Sequence, residues 1–97
     1  MHKLLLSPQA KNDLENIYEY TLKTWSTSQA EKYQDELYES MLRISENVLI
    51  GSMYYYKKGD YRNLNINRHL IFYRIENKNC IIIRILHERM DLKTQFD

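Results

Sequence analysis

The stretch of residues 61–91 constrains the fold more than any other part of the chain. Apolar and polar residues alternate over residues 61–66, which is the pattern of a half-buried strand. The polar pair Asn67 and Arg68 then predicts a turn. Apolar runs follow at residues 70–75 and 80–86, with a four-residue polar connection between them. The stretch is therefore predicted to form three consecutive strands.

The last of these strands is apolar on nearly both faces, so it should lie centrally in the sheet. Its odd positions Ile81, Ile83 and Ile85 are all β-branched and are predicted to face the main core. The same alternation places His87 on their side of the sheet, at the strand's end. The polar residues that follow His87 are predicted to form an edge of the molecule.

A short strand and an amphipathic helix are predicted at the start of the chain. Lys3–Leu6 is apolar enough for a strand, and the pair Ser7 and Pro8 is typical of an N-cap followed by proline in the first helical turn. The helix should end near Trp25. Its predicted apolar stripe consists of Ala10, Leu14, Ile17, Tyr18, Thr21 and Trp25.

A second helix is predicted directly after the first. Ser28 and Glu31 have the spacing of a capping box, and the exit from the helix should begin at Glu46 and Asn47. Its predicted stripe consists of Ala30, Tyr33, Leu37, Met41, Ile44 and Val48. Two such stripes allow the helices to form an antiparallel hairpin that lies on one face of the sheet.

Residues 48–60 show no period and contain Gly51 and Gly59, so they are predicted to form a loop. The three adjacent tyrosines in this segment, at positions 54–56, either form a binding surface or cover an edge of the core with their rings. The predicted order of elements is thus strand, helix, helix and then three strands.

Length and charge indicate one domain with a polarised surface. A chain of 97 residues is large enough for one two-layer core and too short for two. Residues 1–56 carry five Lys or Arg against eight Asp or Glu, whereas residues 57–89 carry eight against three. The later strands are therefore predicted to present a positive face to an anionic partner.

Several functional classes find no support in the sequence. A single cysteine, Cys80, excludes an internal disulfide and fits a reducing compartment. We find no signal peptide, membrane-spanning segment, phosphate-binding glycine loop, nucleophile elbow or metal-ligand spacing. The expectation is a cytoplasmic protein without metal or cofactor. The helix carboxylates are predicted to face solvent, without a catalytic role: Asp13, Glu15, Glu19, Asp35, Glu36 and Glu39.

The arginines of the later strands allow two hypotheses. Arg62, Arg68, Arg74 and Arg84 come from three successive strands. If they converged near His87, they would place phosphate-binding charge beside a group that titrates near neutrality, which is one way to cleave RNA. Alternatively, these fork-shaped cations bind acidic groups of the helices or of a partner without any chemistry.

Motifs along nearly the whole chain carry a family resemblance. They are Ser7-Pro8-Gln9-Ala10-Lys11, Gln29-Ala30-Glu31-Lys32-Tyr33, Tyr61-Arg62, Arg68-His69-Leu70-Ile71-Phe72-Tyr73-Arg74 and Arg84-Ile85-Leu86-His87-Glu88-Arg89-Met90-Asp91. In these motifs the sequence resembles the ParE branch of the RelE/ParE superfamily of bacterial toxin–antitoxin toxins. Asn67 stands where the family usually has glycine, and asparagine tolerates the left-handed backbone that such a turn needs.

The resemblance implies an α+β domain in which a helical hairpin packs on a mainly antiparallel sheet. It further implies a non-catalytic toxin that inhibits DNA gyrase and is neutralised by a cognate ribbon-helix-helix antitoxin in a hetero-oligomer, without sequence-specific binding to nucleic acid. The alternative is a RelE-like nuclease that cuts messenger RNA on the ribosome with its basic surface and His87. Transferred by motif, the candidate partner-binding residues are Arg62, Arg68, His69, Arg84, His87, Arg89, Met90 and Asp91.

The C-terminal residues 92–97 carry two large apolar groups, Leu92 and Phe96. Removing these residues is predicted to preserve folding and antitoxin binding and to abolish gyrase inhibition. The alternative is that Leu92 and Phe96 fold back onto the sheet as a plug.

Overall fold

The computed structural model describes residues 1–56 and 59–90, and for residues 55, 56, 59 and 60 it describes the backbone alone. In chain order the elements are β1 (Lys3–Leu6), α1 (Pro8–Thr24), α2 (Thr27–Glu46), β2 (Ser52–Tyr56), β3 (Gly59–Ile66), β4 (His69–Glu76) and β5 (Asn79–His87). The described strands form one sheet in the order β1-β5-β4-β3-β2, in which only the β1–β5 pair is parallel. The predicted α+β class and the interior position of the last strand are confirmed. The predicted tail, with Asp91 and residues 92–97, lies outside the described residues.

The strand β2 corrects the loop predicted for residues 48–60. Ser52–Tyr56 pairs antiparallel with β3, from Ser52 opposite Asn63 to Tyr56 opposite Gly59. Tyrosines suit a pleated surface, and β2 is the last strand in the sheet order, where it pairs with β3 alone among the described strands. The Tyr54 ring meets the Phe72 ring edge-on at 5.4 Å between centroids, which supports the covering role for this tyrosine.

The helix caps agree with the sequence for α1 and differ for α2. The Ser7 hydroxyl accepts a hydrogen bond from the Ala10 backbone N–H at 3.0 Å, and Pro8 begins the helix as predicted. In α2 the cap is Ser26, whose hydroxyl accepts the Gln29 N–H at 3.1 Å. The predicted cap Ser28 lies inside the helix. Ser26 has the extended backbone that an N-cap requires, so the helix begins at Thr27, before the predicted cap.

One core lies between the helical hairpin and the sheet. Its fully buried helix residues include Ala10 of α1 and Leu37, Met41 and Ile44 of α2, as the stripes predicted. Trp25 is wrongly placed in the predicted stripe, because it caps the end of α1 and is 71% exposed. Neither described helix is long and apolar enough to cross a membrane.

A bulge in β5 overturns part of the predicted facing of this strand. Tyr73 pairs with Ile82, whereas the adjacent Phe72 pairs with Arg84, so Ile83 is an extra residue. The insertion shifts the alternation, and the core-facing residues of β5 are Cys80, Ile82 and Ile85. The prediction is therefore right for Ile85 and wrong for Ile81 and Ile83, which remain outside the core cluster.

Candidate partner-binding site

Arg84, a predicted site residue, is bound inside the molecule. Its Nε and Nη2 atoms donate to the two carboxylate oxygens of Asp13 on α1, at 2.8 and 3.0 Å. The prediction that Asp13 faces solvent is wrong, because this residue is only 8% exposed. The hydrogen bond to Asp13 raises the pKa of the Arg84 guanidinium, and burial opposes that shift. Arg84 therefore stabilises the packing of α1 against β5.

The edge of β5 beyond the end of β1 explains why α1 has a buried carboxylate. β1 ends at Leu6, so beyond that point the edge of β5 has no partner among the described strands. The Ser7 hydroxyl donates to the Ile83 carbonyl at 2.6 Å, and Asp13 accepts the Ile85 N–H at 2.9 Å. The first turns of α1 thus satisfy the backbone groups that β1 leaves unpaired.

Arg62 is also engaged within the fold. Its Nη1 donates to the Gly51 carbonyl at 2.7 Å, while the Gly51 N–H donates to the Tyr73 hydroxyl at 2.9 Å. The Tyr73 hydroxyl in turn donates to the Val48 carbonyl at 2.8 Å. A Cβ at position 51 would lie 2.6 Å from the Tyr73 hydroxyl, so glycine is required for this close approach. Burial raises the pKa of Tyr73.

The four strand arginines do not converge on His87. Arg62 and Arg84 have the internal partners described above, and Arg74 forms an ion pair with Glu76. Only Arg68 shares an end of the sheet with His87, because the turn between β3 and β4 lies beside the end of β5. The four arginines therefore do not form the basic surface around His87 that the RNA-cleavage hypothesis needs.

The remaining described candidates meet at this one end of the sheet. His69 of β4 lies opposite His87 of β5, and their rings are 5.4 Å apart at an interplanar angle of 84°. Tyr33 of α2 adds its hydroxyl, which is 2.6 Å from Nδ1 of His69. We call this region the histidine end, and it consists of Tyr33, Arg68, His69, His87, Arg89 and Met90.

Backbone hydrogen bonds fix the basic residues of the histidine end. The Glu88 N–H donates to the Arg68 carbonyl at 2.9 Å, and the Arg89 N–H donates to Nδ1 of His87 at 3.1 Å. The Met90 N–H donates to the His87 carbonyl at 3.0 Å. The Arg68 and Arg89 side chains are exposed and form no ion pair within the described residues.

Electrostatics make the histidine end a hydrogen-bonding surface with cations around it. Burial lowers the pKa of His69, the neighbouring His87 lowers it further, and Glu88 opposes the shift. Burial also raises the pKa of Tyr33. His69 and Tyr33 are therefore both neutral at pH 7, and the fixed positive charge comes from Arg68 and Arg89. In the described part of the chain, no group of three His, Cys, Asp or Glu residues could hold a metal ion.

Tyr33 is the member of this site that sequence reasoning missed. Its spacing assigned it correctly to the apolar stripe of α2, and its side chain is half-buried there. Its hydroxyl partner His69 is 36 residues away. No local pattern carries that information, because a tyrosine combines an apolar ring with a polar tip that can bond elsewhere.

The family model for "ParE toxin of type II toxin-antitoxin system, parDE" matches residues 4–92. The chain belongs to the ParE toxin family. It is 37% identical over 91 residues to Toxin ParE1 of Mycobacterium tuberculosis (strain H37Rv), covering 93% of each chain. It is 33% identical over 88 residues to Toxin ParE1 of Caulobacter vibrioides, covering 91% of each.

A solved structure supports the ParE fold independently. It is a chain of the "Chromosomal ParDE TA system from P. aeruginosa", with a TM-score of 0.78 at 20% identity. The match covers 90% of this chain and 96% of that one. The resemblance read from the sequence motifs is confirmed, and this ParE-family chain has the helical hairpin and sheet of its structural relative.

Proposed function

We propose that this ParE-family toxin inhibits DNA gyrase in the cytoplasm by protein–protein contact and that a cognate antitoxin neutralises it. The observation that carries this proposal is the division of its arginines. Arg62, Arg74 and Arg84 have internal partners, whereas Arg68 and Arg89 project from the histidine end. Exposed cations beside neutral hydrogen-bonding groups favour binding of a protein surface.

The same division weighs against the nuclease alternative. Cleavage of RNA needs a proton-transfer group with several cations placed around the reacting phosphate. Arg89 is two residues from His87 in the chain, and Arg68 lies in the neighbouring turn. The other strand arginines, Arg62, Arg74 and Arg84, are bound to partners in other parts of the structure. A contact surface accounts for the arrangement without any reaction.

The neutralising partner is proposed to be a ribbon-helix-helix antitoxin that forms a hetero-oligomer with this chain. A segment with acidic and apolar side chains would match Arg68, Arg89 and Met90, of which Met90 is 45% exposed. Because only the charged part of such a contact is screened by salt, affinity should fall with ionic strength and retain a substantial apolar contribution.

A supercoiling assay with purified gyrase and relaxed plasmid tests the proposal. The wild-type protein should block supercoiling, and Arg68→Glu combined with Arg89→Glu should relieve the block. Lys78→Glu is the matched control, since Lys78 is an exposed cation in the turn at the opposite end of β5. Gyrase that stays fully active with wild-type protein would refute the proposal.

Translating ribosomes provide the parallel test. No cleavage of messenger RNA is expected when the purified toxin is added. Cleavage at defined codons that disappears in His87→Ala would establish the nuclease instead.

A further inference from the structure

An open groove lies beside α2, next to the histidine end. It has a volume of about 590 Å³ and is bounded by α2 on one side and by the end of β3 on the other. Leu42 and Ile66 supply its apolar surface, and Leu42 is 37% exposed. From Glu36 to Glu46 the helix rises by about 15 Å, which gives the groove room for one short helix or extended segment.

The groove has the opposite charge to the histidine end. Three glutamates, Glu36, Glu39 and Glu46, line it with a single cation, Arg43. Within the described residues neither Glu39 nor Glu46 forms an ion pair, so their charges remain available to a partner. The local excess is two negative charges, three carboxylates less one guanidinium.

The two surfaces are continuous. Asn67 lines the groove and immediately precedes Arg68 of the histidine end. Its side-chain amide donates to Glu36 at 3.3 Å, and its backbone is left-handed with φ 53°. The turn between β3 and β4 therefore leads directly from the acidic groove to the exposed arginines.

We infer that one protein segment of block charge occupies both surfaces, with basic and apolar side chains in the α2 groove and acidic side chains at the histidine end. A uniformly acidic segment would be repelled by Glu39 and Glu46, and a uniformly basic one by Arg68 and Arg89. The inference rests on the proposed function in one respect, namely that this segment belongs to the antitoxin proposed to bind the histidine end.

Two synthetic peptides of identical composition test the inference. In the first, lysines and leucines form one half and glutamates and leucines the other; in the second, the same lysines and glutamates alternate along the chain. The block peptide should bind about tenfold more tightly at roughly 50 mM salt, and the difference should shrink to less than about threefold near 0.5 M. Equal affinities at low salt, or no binding of either peptide, would overturn the inference.

Charge-reversal variants locate the binding. Glu39→Lys and Arg68→Glu should each remove most of the preference for the block peptide, because they act on opposite halves of it. Glu19→Lys is the control, since Glu19 is an exposed carboxylate on α1, outside the groove. Unchanged preference in the first two variants, with native melting curves, would overturn the assignment to this surface.

The outcome stays separate from that of the proposed function. The gyrase assay contains no peptide and does not depend on the groove charges. A toxin that inhibits gyrase and shows no preference for block charge would retain the proposed function and lose this inference.

Discussion

Replacing Asp13 by asparagine should destabilise the fold strongly, although the two side chains have the same shape. Asp13 accepts three hydrogen bonds, two from Arg84 and one from the Ile85 N–H. An amide retains one acceptor oxygen and turns a donor toward groups that are themselves donors. The substitution therefore leaves at least one buried donor without an acceptor and removes the partner of a cation.

The cost can be bounded from the burial of the pair. Breaking a buried ion pair by removing one partner costs about 3–5 kcal/mol. The Arg84 side chain is 20% exposed and Asp13 10% exposed, so partial hydration reduces the expected loss in unfolding free energy to about 2–3 kcal/mol. For a domain of this size, that loss corresponds to a fall in melting temperature of roughly 8–24 °C.

Urea unfolding followed by far-ultraviolet circular dichroism measures this change. Glu15→Gln, an exposed charge-to-amide change in the same helix, is the matched control and should alter the unfolding free energy by less than about 0.5 kcal/mol. Adding Arg84→Met to Asp13→Asn should recover part of the loss, because it removes the stranded cation. Indistinguishable midpoints for Asp13→Asn and Glu15→Gln would refute the reasoning.

Three further predictions concern the histidine end, a helix cap and the buried thiol. Burial lowers the pKa of His69 from its ordinary 6.5. On acidification the unfolded chain therefore binds a proton at this histidine before the folded chain does. The unfolding free energy should fall as the pH drops below 6.5, until the lowered pKa of the folded state is passed. Urea titrations at several pH values should show a weaker pH dependence for His69→Asn, which keeps a group to bond Tyr33, and an equal dependence would contradict the assignment. Ser26→Ala should cost about 1 kcal/mol of unfolding free energy and Ser28→Ala clearly less, whereas the reverse order would restore Ser28 as the cap. Cys80 is fully buried and its pKa is raised to about 11. Its reaction with an aromatic disulfide reagent at neutral pH should therefore be on the order of 100-fold slower in native protein than in urea. Similar rates in the two conditions would show that the thiol is accessible in the folded protein.

Local sequence signals predicted those features that depend on local physics. The Ser7 and Pro8 pair determines the start of α1, since one side chain and one fixed φ suffice. Asn67 adopts the left-handed backbone expected of the residue that replaces glycine in its turn. The end of α1 at Trp25 also agrees, although the exposure of that ring does not.

Features created by distant partners were not predictable in the same way. Asp13 is buried against Arg84 and Ile85, which are 71 and 72 residues away in the chain, so no local pattern in α1 reveals its burial. The strand β2 is visible only through its pairing with β3. Within the candidate site, the motifs gave His69 and His87 as candidates together with Arg62 and Arg84. No local pattern shows that the two histidines meet at one end of the sheet while the two arginines have partners on other elements.

The parallel pairing of β1 with β5 joins two strands that are synthesised far apart in time. Lys3 pairs with Asn79, and Ser7 bonds to Ile83 across 76 residues of chain. Contacts this distant form late, because a long loop must close before they contribute. On the ribosome β1 emerges before β5, so β1 has no strand to join until β5 follows it. A product of interrupted translation that stops before Asn79 therefore lacks both the partner of β1 and the strand that carries His87.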